Sequence, residues 1–314
     1  MTGVALGFSS PLAFLAFDHR GEFARSVLDV EGEPTPEQDA VIADCKQLIF
    51  EGVLLAARSG VVPAGEAGIL VDELYGADVA RRALAAGVVV AMPIEAPDRA
   101  VFDFAYGADW RAHVEAFEPT FAKVLVRYNP DGSAEENAVQ HERLAELSAW
   151  VRSTDRNLLF ELIVVPTEEQ LASVDGSRER FARELRPRLI VRSIAALQAA
   201  GVEPDLWKLE GLYDILDAKA VVEQARSGEG REQVACTILG AGAPDETVDH
   251  WLSVAAAVPG FTGFAIGRSI WRDAVRAVLA NTLSRDDAAQ RIADNYLRFV
   301  RVFTSATDDV TTPA

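Results

Sequence analysis

Eight short apolar runs recur along the chain, and the segments between them are apolar on one face only. The runs are PLAFLAFDHRG, GILVDELYG, GVVVAMPIEAP, FAKVLVRYNP, LLFELIVVP, DLWKLEG, VACTILGAG and FTGFAIGRS, each ending in polar residues or in Gly or Pro. Intervening segments such as EQDAVIADCKQLIFEGVLLAARSG, ADVARRALAAG, QHERLAELSAWVRS, RPRLIVRSIAALQAAG, TVDHWLSVAAAV and DAAQRIADNYLRFVRVF repeat apolar residues at i, i+3, i+4 and i+7, the helical period. A run that is hydrophobic on both faces belongs in a parallel sheet covered on both sides. Strand and helix therefore alternate over the whole length, which defines an α/β chain. Eight strands close into a single (β/α)8 TIM barrel more readily than they form an open sheet. The doubly wound alternative lacks its phosphate-binding signature, because the first run ends in FDHRGEF and no G-x-G-x-x-G follows it. At 314 residues the length suits one such barrel. It is expected to span residues 1–303, with GEPTPE (32–37) and ARSGEGRE (225–232) as surface loops and 304–314 as a disordered C-terminal tail.

A barrel of this kind carries its active site at the C-terminal ends of the strands. The polar residues late in each run are therefore the candidates: Asp18, Asp72, Glu95, Lys123 with Arg127, Glu161, and Lys208 with Glu210. The period of two in a strand puts Lys123, Leu125 and Arg127 on one face, Lys208 on a face with Leu206 and Glu210, and Glu161 on a face with Leu159 and Ile163. Charges buried inside a barrel must be paired, so groups of opposite sign converge there.

Lysine usage sharpens the choice. Of 30 Lys plus Arg residues only Lys46, Lys123, Lys208 and Lys219 are lysine. Lys46 and Lys219 fall in helical stretches and read as ordinary solvated positions, whereas Lys123 and Lys208 interrupt strands. An amine can lose its proton and attack a carbonyl, which a guanidinium cannot do. To act so near neutrality its pKa must drop from about 10.4 toward about 7.5, a cost of about 4 kcal/mol. Burial and a second ammonium two strands away, Lys123 beside Lys208, can supply that. The structural alternative is an inert ion-pair network, with Lys208 paired to Glu210.

Runs seven and eight end in Gly240 with Gly242 and in Gly267 with Arg268, the place where barrels of this type hold phosphate. The formal net charge of -18 argues against nucleic acid and anionic membrane as partners, so an anionic substrate needs a local basic pocket. Metal chemistry is not expected: His19, His113, His141 and His250 are scattered, and only His19, beside Asp18, falls near the site. Two distant cysteines, Cys45 and Cys236, read as reduced buried thiols. No G-x-S-x-G elbow is present. With no basic leader and no apolar stretch of membrane length, a cytoplasmic protein is expected, and a homo-oligomer is compatible with it.

Taken together, FDHRGEF, LVDELYG, AKVLVRYNP, LFELIVVP, PDLWKLEG, TILGAGA and HWLSVAAAVPGFTGFAIGRSIW resemble the lysine-dependent (class I) aldolase domain of myo-inositol catabolism over residues 11 to 300, and more distantly the tagatose 1,6-bisphosphate aldolases. The resemblance implies a cofactor-free, metal-free aldolase that cleaves 5-dehydro-2-deoxygluconate 6-phosphate to dihydroxyacetone phosphate and malonate semialdehyde. It implies Lys208 as the Schiff-base lysine, Glu161 as acid/base, Lys123 as accessory lysine and Asp18 as their polar partner. It gives Gly267 and Arg268 a part in holding phosphate; Gly240 and Gly242, by their place after run seven, and Arg127 and Glu95 are further candidates for substrate binding. Two departures stand out: relatives from inositol catabolism carry an arginine where this chain has Ala241, and the tagatose enzymes carry a lysine at the position of Ala96. Each departure removes a cation from the rim, so the identity of the second anionic group stays open. Another ketose (bis)phosphate, such as tagatose 1,6-bisphosphate, and a non-catalytic barrel that binds a sugar phosphate are the alternatives.

Overall fold

In a computed structural model, which describes residues 6–63, 65–154 and 156–311, the apolar runs form eight parallel strands. They are β1 (Leu12–Ala16), β2 (Ala67–Leu70), β3 (Val89–Pro93), β4 (Phe121–Tyr128), β5 (Asn157–Val164), β6 (Leu206–Leu209), β7 (Ala235–Leu239) and β8 (Phe261–Ile266). Each strand pairs with the next, and β8 returns to β1, so the sheet is a closed (β/α)8 barrel. The helices wrap its outside in chain order: α1 (Gly21–Leu28), α2 (Pro36–Arg58), α3 (Glu73–Ala85), α4 (Trp110–Phe117), α5 (Ala134–Arg152), α6 (Glu168–Ser173), α7 (Arg178–Arg180), α8 (Arg186–Ala199), α9 (Ile215–Ala225), α10 (Asp245–Ala256), α11 (Arg268–Leu279) and α12 (Arg285–Thr311).

Local chemistry sets several helix starts. Thr35 caps α2 and forms a reciprocal capping box with Gln38, with Pro36 at the first helical position. The segment expected to be the loop GEPTPE therefore gives its last two residues, Pro36 and Glu37, to the helix. Asp72 caps α3 by accepting from the backbone N–H of Tyr75 at 3.0 Å.

The two faces of the strands fill different cores. Leu12, Phe14, Leu70, Phe121, Leu159 and Leu206 belong to the cluster inside the barrel, and Phe8 packs edge-on to Phe121 with centroids 5.0 Å apart. Their neighbours, such as Phe160, Leu162, Trp207 and Leu209, face the helices. At Gly263 the φ of +157° and the carbonyl of Leu12 leave no room for a side chain: a Cβ would stand 1.8 Å from that oxygen. The register between β7 and β8 shifts close by, at Cys236/Thr237.

Helix α12 runs past residue 304, where a disordered tail was expected, and continues to Thr311. Two features account for this: Phe303 packs against the core, and Thr304 Oγ1 donates to the carbonyl of Val300 at 3.0 Å. Residues 312–314 of that tail lie outside the described residues. Both cysteines are free and buried, and burial pushes each thiol up to about 12. No helix among the described residues is long and apolar enough to cross a membrane.

Candidate active site

The strand register decides which polar side chains meet. Across the sheet Leu125 lies level with Glu161, Glu161 with Lys208, and Lys208 with Thr237, so these residues form one layer facing the barrel axis. One step lower, Lys123 is level with Pro93 and Leu159. Lys123 reaches up into the Glu161 layer from below, and Asp18 and Glu95 enter from the chain just beyond β1 and β3.

Lys123 is the hub. Its Nζ lies 2.9 Å from Asp18 Oδ2, 2.8 Å from Glu95 Oε1 and 3.0 Å from Glu161 Oε2, so one ammonium is paired with three carboxylates. Glu161 turns its other oxygen, Oε1, to Lys208 Nζ at 2.8 Å. Asp18, Glu95, Lys123, Glu161 and Lys208 are all buried. Sequence parity placed Lys123, Glu161 and Lys208 on the inner face, and the structure does the same.

The electrostatics follow from this geometry. Burial alone would drive the Lys123 ammonium toward neutrality, but Asp18, Glu95 and Glu161 together hold its pKa well above the usual lysine range. Burial alone would also raise Asp18 and Glu161. For Asp18 the charges of Lys123 and then Lys208 outweigh it, and for Glu161 those of Lys208 and then Lys123 do, so both carboxyls stay below the ordinary range. Glu95 goes the other way: its burial outweighs Lys123 and Arg20, and its pKa is raised.

These groups line a cavity of about 120 Å³ at the C-terminal end of the barrel, together with His19, Arg20, Arg99 and Arg127. Burial pushes the His19 imidazole below its usual pKa against the pull of Asp18, and its Nδ1 is buried without a hydrogen-bond partner among the described residues. Arg20 donates to the carbonyl of Glu95 at 2.8 Å, and Arg127 donates to that of Arg99 at 3.2 Å. Sequence reasoning passed over Arg20 and Arg99. Each sits in the loop that follows a strand end, FDHRG and IEAPDR, which is the available signal.

Gly240, Gly242, Gly267 and Arg268 gather at the ends of β7 and β8, outside the cavity lining. Gly242, at a φ of +69°, lets the guanidinium of Arg268 approach so closely that a Cβ would stand 2.9 Å from Nη2. Arg268 in turn pairs with Glu22, which does line the cavity.

Three expectations are corrected. Lys208 is not paired with Glu210, because that carboxylate is taken by Arg186 Nη1 at 2.9 Å and by the backbone N–H of Val164 at 2.9 Å. Asp72 does not reach the rim: the chain turns into α3 there, and the carboxylate is spent on the cap and on Lys46. Lys46 is not solvated but wholly buried. Its Nζ donates to the carbonyls of Phe17 at 2.8 Å and His19 at 3.0 Å and pairs with Asp72. Lys219 is exposed, as expected.

The other three histidines lie elsewhere: His113 on Glu73, His141 on the hydroxyl of Tyr128, and His250 on the carbonyl of Tyr213. Among the described residues no group of three or more His, Cys, Asp or Glu side chains is arranged to hold a metal ion.

A family model described as "Uncharacterized protein conserved in bacteria (DUF2090)" matches residues 7–307. No curated protein matches the sequence. Among solved structures, a fructose-bisphosphate aldolase from Plasmodium falciparum, crystallised with TRAP and a small-molecule inhibitor, is similar in fold. The TM-score is 0.63 at 11% identity, over 94% of this chain and 90% of that one.

Proposed function

The chain belongs to the DUF2090 family, and from that premise we propose that it is a class I aldolase, acting through a Schiff base on Lys208. The observation that carries the reading is the pair of buried lysines sharing one glutamate at the wall of the barrel cavity. Lys123 is held charged by three carboxylates, so it serves as a fixed cation and not as a nucleophile. Lys208, with Glu161 beside it, is then the amine that attacks.

In the proposed reaction Lys208 adds to the ketone of a ketose phosphate and loses water to give an iminium. The iminium is an electron sink. When Glu161 or a water takes the proton from the hydroxyl two carbons away, the bond between the hydroxyl-bearing carbon and the carbon next to the iminium breaks. An aldehyde departs, and the bonding pair remains on the enamine. Protonation of the enamine and hydrolysis of the resulting iminium release dihydroxyacetone phosphate and restore the lysine. The substrate we assign is 5-dehydro-2-deoxygluconate 6-phosphate, whose aldehyde product is malonate semialdehyde. Arg268 with Gly240, Gly242 and Gly267 is assigned to the phosphate, and Arg127 to the carboxylate at the far end. Support for an anionic far end comes from Arg20, Arg99 and Arg127, three guanidinium groups on the cavity wall. A ketose bisphosphate such as tagatose 1,6-bisphosphate has the same charge pattern and is the second reading.

The test is reductive trapping. Borohydride with dihydroxyacetone phosphate should add one reduced adduct, found by peptide mass spectrometry at Lys208, and Lys208→Arg should abolish both adduct and turnover. An adduct confined to Lys219, or trapping that persists in Lys208→Arg, would overturn the assignment. A panel of ketose phosphates assayed for dihydroxyacetone phosphate release separates the two substrates.

A further inference from the structure

The buried centre holds three carboxyl groups, Asp18, Glu95 and Glu161, against two lysines, Lys123 and Lys208. A buried charge without a counterion is expensive, so an excess carboxylate is driven to take up a proton. The three are not equivalent. Glu161 gives one oxygen to each lysine, and Asp18 is held by Lys123. Glu95 gives only Oε1 to Lys123, while Oε2 is buried with no hydrogen-bond partner among the described residues. Of the six oxygens of these carboxylates it is the only one buried and unpartnered.

The backbone around Glu95 is also held in place. Beyond β3 the chain folds back on itself, with the Ala105 N–H on the carbonyl of Ile94 and the Ala96 N–H on that of Asp103, both at 2.8 Å, and Glu95 bridges to Phe104. Arg20 fixes its carbonyl from the far side. The charged groups acting on its carboxyl are Lys123 from β4 and Arg20 and Asp18 from the chain after β1, and His19, Glu161 from β5 and Lys208 from β6 line the same cavity. The net result is a pKa raised by burial, in contrast to the lowered Glu161. Two carboxyls driven apart in this way divide the acid and base tasks of a site.

We propose that Glu95 enters the reaction as the un-ionised acid and that its Oε2 hydroxyl delivers the proton with which the carbinolamine oxygen leaves as water. The step rests on the Schiff-base reading above and balances as follows. The amine of Lys208 adds to the ketone, the carbonyl electron pair moves to oxygen, and the nitrogen proton transfers there to give the carbinolamine. Glu95 then protonates the hydroxyl, the C–O bond breaks, and the nitrogen lone pair forms the C=N bond of the iminium. Glu95 is left as carboxylate. When the product iminium is hydrolysed, Glu95 takes a proton from the attacking water and is restored as the acid, so no other reactant is needed. Glu161, tied to both lysines, is left for the C–C cleavage.

Infrared difference spectra of the free protein at neutral pH test the first half independently of any reaction. Wild type minus Glu95→Gln should show the C=O stretch of an un-ionised carboxyl, shifted in D₂O, and the band should persist in Glu210→Gln and Asp205→Asn, which remove other enclosed carboxyls of raised pKa. Its absence in wild type, or its survival in Glu95→Gln, overturns the proposal. If Glu95→Gln does not fold, disappearance of the wild-type band on alkaline titration, with its retention in both Glu210→Gln and Asp205→Asn, decides the matter. For the second half, single-turnover trapping with dihydroxyacetone phosphate should slow about 100-fold in Glu95→Gln, with the adduct still at Lys208. The fall of the wild-type trapping rate at high pH should also vanish in the variant. Trapping at the wild-type rate overturns the role of Glu95. A wild type that forms no adduct at all sinks the aldolase reading instead, and the two failures are thereby distinguished.

Discussion

Replacing Lys46 by Met tests whether a charge outside the barrel holds the end of β1 in place. Lys46 Nζ has three donors and three acceptors: the carbonyls of Phe17 and His19, and Asp72. The two carbonyls flank Asp18, so the ammonium fastens the backbone on either side of the residue that meets Lys123. Removing it strands a carboxylate that is 1% exposed. Losing one member of a buried pair costs about 3–5 kcal/mol. In the double variant Lys46→Met/Asp72→Asn the stranded charge is gone, and Asn still caps α3. What remains is the loss of donors to two carbonyls, about 0.5–1.5 kcal/mol each. The double variant should therefore be about 2 kcal/mol more stable than Lys46→Met alone, a non-additivity readable from urea midpoints followed by tryptophan fluorescence. Turnover should fall in both variants, because Asp18 is no longer fixed. A loss under about 1 kcal/mol for Lys46→Met, or a further loss on adding Asp72→Asn, would refute the pairing.

Three other outcomes are expected. Arg268→Ala should raise KM for a phosphorylated ketose by about 10- to 100-fold with a smaller effect on kcat, since one charge-assisted contact is worth about 1.5–3 kcal/mol in ground and transition states alike; an unchanged KM puts the phosphate elsewhere. Asp18 and Glu161 have folded pKa values below their unfolded values of about 4, so their stabilisation is present above that pH and is lost as pH falls through the folded values. Asp18→Asn should accordingly cost more stability at pH 7 than at strongly acid pH, and equal midpoint shifts at both would deny the electrostatic origin. Gly211→Ala would place a Cβ 1.9 Å from the ring of Trp251, and the forced repacking should cost about 1–3 kcal/mol in thermal or urea unfolding; a variant as stable as wild type would mean that the ring yields freely.

The strands were legible because a strand buried on both faces leaves an unbroken apolar run, and a charge inside such a run, as at Lys123, Glu161 and Lys208, has nowhere to go but the barrel axis. Parity failed where the strand ended. Asp72 and Glu210 continue the pattern on paper, but the chain has already turned toward α3 and toward Arg186. Lys46 was misread because a lysine on a helix is usually solvated. The warning was its position on the buried stripe of α2 with Ile42, Ile49 and Val53. Asp72, which makes that burial tolerable, is 26 residues away and carries no mark of the partnership. Arg20 and Arg99 sit in loops whose direction no periodicity describes. The helical ending beyond residue 304 depends on Phe303 finding the core, a tertiary contact.

The ring that α12 and β8 complete also sets an order in time. Leu15 of β1 is level with Ile266 of β8, and α12 packs over α2 where Gly52 leaves room for Ile292. Synthesis proceeds at about 5–20 residues per second, so β1 is made about 12–50 s before its last neighbour exists. Throughout that interval one edge of the growing sheet presents unpaired N–H and C=O groups to any other nascent chain. Closure then joins segments about 250 residues apart, at an entropic cost of about 5 kcal/mol that no earlier fragment can recover. Asp18 follows β1 on one side of that seam, and Lys208 lies on β6, two strands before β8 on the other, so the buried cluster of Asp18, Lys123, Glu161 and Lys208 is completed only when β8 closes the ring.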